Sequence, residues 1–213
     1  MPAGPSRREI AEQDRYMLTR LAAFRRAADA VTGAFAAFPE VQAVTLFGST
    51  TRPLAREVPR FQPFRRFGVE IFHECKDVDL AGALDRLDNL SALNRARNRA
   101  VTNLHKDGGL GVAHHQVDVF LFGSGFTDYL GRLCIYGQCP KGAADCRVPG
   151  CGREPFLQQH AAFVFRADAL AADRTVPLYE RGRGIVNRAS DLDQPSPVAD
   201  VGHGPAVERT TVR

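Results

Sequence analysis

The sequence predicts an α+β fold: a small mixed β-sheet with helices on one face, and a small zinc-knuckle module at its end. Three observations lead there. Apolar residues recur at helical spacing from Ile10 to Phe35. Three short runs, at 41–47, 78–84 and 115–122, are apolar and the right length for strands. Four of the five cysteines fall between Cys134 and Cys151.

Residues 1–5 read as a flexible start. Ser6 and Glu9 have capping-box spacing, so a helix opens there and occupies 6–38, ending before Pro39. Ile10, Met17, Leu21, Phe24, Ala28, Val31 and Phe35 form its apolar face. Arg7, Arg8, Arg15, Arg20, Arg25 and Arg26 form the other, read as a solvated face, with an RNA-facing helix as the alternative. The core is expected over 39–130. Its first strand, Val41–Phe47, runs into Gly48-Ser49-Thr50-Thr51-Arg52. Small and hydroxyl residues at a strand end let backbone N–H groups approach a phosphate, and Arg52 adds charge.

Residues 53–76 interleave Arg56, Arg60, Arg65 and Arg66 with Phe61, Phe64 and Phe67. Such a loop either stacks and neutralises a nucleotide or is pinned by its phenylalanines with its arginines in water. After the second strand, Asn89 or Ser91 caps a helix to about Lys106, with Leu90, Leu93, Arg97, Val101 and Leu104 along one side. His114 and His115 precede the third strand and are read as loop or edge residues.

The acids are the informative residues. Asp77 and Asp79 stand two apart beside an apolar strand, so they share a face. Asp118 occupies the same setting in Val117-Asp118-Val119. Unpaired carboxylates are costly among apolar neighbours unless a cation or arginines lie between them. Three hard oxygen donors on neighbouring strands describe a Mg²⁺ site. Salt bridges to the chain's many arginines are the structural alternative.

Leu46-Phe47-Gly48-Ser49, then Asp77-Val78-Asp79-Leu80, then Val117-Asp118-Val119 resembles the signature of the nucleotidyltransferase (DNA polymerase β-like) superfamily over about 41–122. One departure is the interval between Ser49 and Asp77, 27 residues where the superfamily has a short one. The resemblance implies that Asp77, Asp79 and Asp118 are catalytic and hold two Mg²⁺ ions. It implies that Gly48, Ser49 and Arg52 bind the phosphates of an NTP, ATP included. The activity implied is transfer of an NMP group to a hydroxyl acceptor: a small molecule, an RNA end or a protein. The alternative is a catalytically silent protein of the same fold that binds RNA or a protein partner, as an adaptor or antitoxin would.

Cys134, Cys139, Cys146 and Cys151 lie within eighteen residues rich in Gly and Pro, inside a module assigned to 131–165. Four thiolates so placed can reach one tetrahedral Zn²⁺ with no open position, a structural site; His160 can replace one of them. Two disulfides or four unrelated buried cysteines are the alternatives. Cys139-Pro140-Lys141-Gly142 and Val148-Pro149-Gly150-Cys151-Gly152 resemble a group of uncharacterised bacterial nucleotidyltransferase-domain proteins carrying such a cluster, extending the likeness to about residue 165. Cys75, beside Asp77, reads as a core thiol.

Residues 180–213 lack periodicity and read as a disordered tail. Net charge is +4 with a pI near 9.0, compatible with polyanionic substrates. With no apolar run of spanning length and no signal-like start, the chain is expected in the cytoplasm, away from membranes. The oligomeric state is left open.

Overall fold

A computed structural model describes residues 3–106, 111–139, 151, 154–159 and 163–195. Helix α1 (Arg7–Phe35) opens as its sequence predicts. The Ser6 hydroxyl accepts the Glu9 N–H at 3.3 Å, and the Glu9 carboxylate accepts the Ser6 N–H at 2.7 Å. Met17, Leu21, Phe24, Ala28, Val31 and Phe35 are buried. Helix α2 (Leu90–Lys106) buries Leu90, Leu93, Arg97 and Val101, four of the five residues expected on its inner side.

The chain forms strands β1 (Val41–Phe47), β2 (Arg56–Glu57), β3 (Ile71–Phe72), β4 (Val78–Leu84), β5 (Val117–Phe122), β6 (Tyr129–Leu133), β7 (Leu157–Gln158), β8 (Val176–Glu180) and β9 (Gly184–Ile185). Seven of them make one mixed sheet in the order β7-β6-β5-β4-β1-β8-β9. The α+β class is as expected; the sheet is larger than the small one anticipated. Among the described strands only β4 and β5 pair in parallel, because α2 carries the chain back between them.

The two faces of the sheet differ. Val44, Leu46, Val78, Leu80, Val119 and Leu121 pack with both helices in the main core. On the other face Phe47, Ala81 and Phe122 are covered by Phe120, Tyr129, Phe165 and Leu170. No α-helix lies there among the described residues; short 3₁₀ turns at Ser124–Phe126 and Ala167–Leu170 supply Phe126 and Leu170. Strand alternation explains the split: each step of one residue changes the face.

Two expectations are corrected. The tail does not begin at 180. Strands β8 and β9 make a hairpin through Arg181-Gly182-Arg183, and β8 pairs with β1. Beyond it, the N–H groups of Ala189 and Ser190 donate to the Asp29 carboxylate at 2.6 and 3.0 Å. Tertiary contacts with α1 order a segment with no periodicity of its own; residues 196–213 lie outside the described residues. Nor is the basic face of α1 wholly solvated, for Arg25 is fully buried. Its guanidinium donates to the carbonyls of Thr50 (3.0 Å), Arg52 (3.1 Å), Leu192 (2.7 Å) and Asp193 (3.0 Å).

The insertion at 53–76 is pinned to the body. β2 and β3 form a separate two-stranded ribbon. Buried Asp14 of α1 accepts the Phe72 N–H at 2.8 Å and a 2.5 Å bond from Arg56, whose guanidinium lies 4.7 Å over the Phe72 ring. Phe64 is buried, while Phe61 and Phe67 are exposed.

Candidate active site

The β4–β5 register sets Asp79 directly beside Asp118. Parallel register partners project to the same face, here the one away from the helices, where Ala81 and Phe120 follow them two residues on. Asp77 lies one residue before β4 and shares the face of Asp79. The three acids named from the sequence are thus neighbours. Neither Asp77 nor Asp79 makes an ion pair with a described residue. Asp118 does, accepting Arg132 Nη1 of β6 at 2.9 Å.

Their electrostatics follow from this crowding. Burial first, then the charges of Asp77 and Asp118, pushes the Asp79 carboxyl up to about 7. Burial also raises Asp118, while Arg132 pulls it down and Asp77 adds to the rise.

The turn after β1 closes the other side. Phe47 pairs with Asp79 across β1 and β4, so Gly48 meets the acid at once. A Cβ on Gly48 would stand 2.5 Å from Asp79 Oδ2, and its φ of +80° suits glycine alone. Ser49 and Arg52 are exposed, open to a ligand. The underside of this turn is held by Arg25, through the carbonyls of Thr50 and Arg52. Cys75 is buried behind it; burial raises its thiol, against a hydrogen bond with Ser49. That fits a core residue better than a nucleophile.

Among the described residues, no three His, Cys, Asp or Glu side chains are drawn closely enough together to hold a metal ion. The carboxylates feel one another without converging, with Asp118 turned onto Arg132. The donor set nevertheless suits a hard cation: its atoms are all oxygen, three acids crowd together, and glycine at 48 lets the turn approach Asp79 without a side chain between them.

Three cysteines, Cys134, Cys139 and Cys151, gather about one segment among the described residues. The Cys134 N–H donates to Phe156 O at 2.7 Å. The Phe156 N–H donates to Cys139 Sγ at 3.3 Å, and Cys151 forms a β-bridge with Gln158. Cys146 and His160 lie outside the described residues.

Sequence reasoning missed three arginines. Arg132 was hidden because one charge in Tyr-Leu-Gly-Arg-Leu looks like an edge residue; its partner lies fourteen positions away. Arg25 was counted with a solvated face. Arg97 was placed on the inner side of α2 without a role. It is buried, donates to Asn94 Oδ1 (2.6 Å) and Cys134 O (2.8 Å), and burial lowers it to about 10. It therefore ties the strand-β5 crossover helix to the start of the cysteine segment. Asn94, Arg95 and Asn98 of the same helix bond within the body: Asn94 to Tyr136 O, Arg95 to Ser91, Asn98 to Arg97.

Fold and site together define an α+β protein with three acids at the junction of a parallel strand pair, facing a glycine turn. No protein-family model matches the chain, and neither a curated protein nor a solved structure does. Among the described residues no helix is long and apolar enough to cross a membrane.

Proposed function

We propose that the protein transfers an NMP group from an NTP to a hydroxyl acceptor, using two Mg²⁺ ions held by Asp77, Asp79 and Asp118. The observation that carries this reading is the in-register pair Asp79–Asp118 on the sheet face away from the helices, with Gly48 pressed against Asp79. The resemblance of the Gly-Ser turn and the three acids to the nucleotidyltransferase superfamily supports it.

Bound Mg²⁺ supplies positive charge that offsets the charge moving onto phosphate oxygens in an in-line displacement. The chain's own residues do the rest. Backbone N–H groups of Gly48 and Ser49 cradle the leaving pyrophosphate, and Arg52 neutralises it. Asp118, nearest β6, takes the proton of the attacking hydroxyl. At the cysteine segment a structural Zn²⁺ is proposed on Cys134, Cys139, Cys146 and Cys151. The Phe156 N–H on Cys139 Sγ supports it, since a ligand thiolate gains from such a donor.

Thermal unfolding with Mg²⁺ plus each NTP tests the nucleotide site. The midpoint rises only when metal and nucleotide are both present, because a ligand that binds only the folded state stabilises it. No rise with any NTP would shift the reading to a silent protein binding RNA or a protein partner. The Asp118–Arg132 ion pair is the observation favouring that alternative. For zinc, elemental analysis of the purified chain finds the metal, and Cys139→Ser loses it; a zinc-free chain of undiminished stability would overturn that assignment.

A further inference from the structure

The sheet face that carries the acids continues past them. Two residues beyond Asp118, about 7 Å along β5, stands Phe120, whose cross-strand partner is Arg132. Phe120 begins a continuous group of rings. Phe163 lies 6.1 Å from it and 5.5 Å from Tyr129, and Tyr129 stacks on Phe165 at 5.4 Å. The Tyr129 hydroxyl lies within range of the Arg132 and Asp118 charges. Phe163 is the outermost ring, 45% exposed, and Val164 beside it is 81% exposed. Large apolar groups are left in water here, beside a buried acid cluster.

The direction of reaction says what this shelf faces. In the sheet order, the Gly48 turn follows β1, the acids sit on β4 and β5, and Arg132 sits on β6. If the turn holds the departing pyrophosphate, an in-line attack brings the acceptor from the opposite side of the phosphorus, over β5 and β6. There the acceptor meets a carboxylate, a guanidinium and a set of ring faces. Arg132 is oriented by Gln158 Oε1 at 3.3 Å and Asp118 at 2.9 Å, leaving its second terminal nitrogen without a described partner. A hydroxyl, an anion and a flat ring within a few ångströms of one another are the features of a nucleotide.

We infer that the acceptor is the 3′ end of a single-stranded RNA, its terminal base stacked on Phe163 and its phosphate met by Arg132. This rests on the nucleotidyltransferase reading for its direction, and it narrows the acceptor from a choice of small molecule, RNA or protein. Stacking on exposed aromatic rings tolerates any base, so the shelf selects nucleotide character rather than sequence.

The test is equilibrium binding of a fluorescent hexaribonucleotide with a free 3′ hydroxyl to the full chain, beside the Mg²⁺–NTP thermal shift. Phe163→Leu keeps apolar bulk and removes the ring face; Phe163→Trp keeps a ring. The expected result is binding weakened about tenfold by Phe163→Leu and restored by Phe163→Trp, with the Mg²⁺–NTP shift unaltered. Equal binding by the leucine variant overturns the inference. So does an RNA-independent loss of the NTP shift in that variant, which would assign the ring to the donor base. A wild-type chain that shows the NTP shift yet binds no RNA overturns it too, leaving the catalytic reading intact. RNA binding that depends on Phe163 in a chain with no NTP shift upholds the base subsite and removes the catalytic reading alone.

Discussion

Asp79→Asn raises the thermal midpoint of the metal-free protein at pH 8 by roughly 5–10 °C while abolishing the transfer proposed for the site. The sign follows from the carboxyl's surroundings. Its ordinary value is 3.8, and the fold holds it at about 7. Below pH 3.8 the folded and unfolded chains both keep the proton, and the acid costs the fold nothing. Between 3.8 and about 7 the unfolded chain ionises alone, so stability falls as pH rises through that window. Above it both forms are charged and the cost is constant. The interval from 3.8 to about 7, at about 1.4 kcal/mol per pH unit, sets that cost at up to about 4 kcal/mol. Asparagine never ionises and removes it. Urea titrations from pH 4 to 9 check the point: the wild type loses stability across the window, and the variant's curve is flatter. With Mg²⁺–NTP at a hundred times its Kd the wild type gains about 2.7 kcal/mol, a gain the variant lacks. A variant that matches the wild type at pH 8 and still responds to Mg²⁺–NTP would remove Asp79 from the site.

Arg25→Met destabilises the protein by about 3 kcal/mol or more and lowers its midpoint by roughly 10 °C. The guanidinium is fully buried and makes four bonds, all to backbone carbonyls. Methionine fills the stem's volume and leaves those acceptors without the donor. Lysine restores a charge but not the planar fork that reaches both sides, so Arg25→Lys recovers part of the loss. Because two of the four carbonyls belong to the Gly48 turn's continuation, Arg25→Lys also shrinks the Mg²⁺–NTP shift. Asp29→Asn, which loosens only the 189–190 contact, leaves that shift in place. A loss under 1 kcal/mol in Arg25→Met would mean that burying the cation costs nearly as much as its bonds return.

Local signals made half of this legible. The capping box of α1, the apolar faces of both helices and the three acid-bearing or acid-flanking strands repeat at short range, where periodicity is informative. The register that sets Asp79 beside Asp118 follows once α2 makes β4 and β5 parallel. What escaped depends on residues far apart in the chain. Strands β8 and β9 are short, interrupted by Pro177 and joined through an Arg-Gly-Arg turn, so nothing local distinguishes them from a tail. Their order comes from β1 and from Asp29, 160 positions before Ala189. Arg25 and Arg132 were obscured in the same way. Charge alone predicts solvent, and only the packed structure shows four carbonyls or a carboxylate waiting for it.

The ribbon between the glycine turn and the acids has a consequence for design. β1 and β4 are antiparallel neighbours, which a hairpin of a few residues suffices to join. Residues 48–77 make the connection instead, leaving the sheet after β1 and returning to it at β4, anchored separately on Asp14. Chain length in this stretch is therefore uncoupled from the spacing of the acids. Its exposed stretch near Phe61 is a natural port for a reporter dye or an affinity tag.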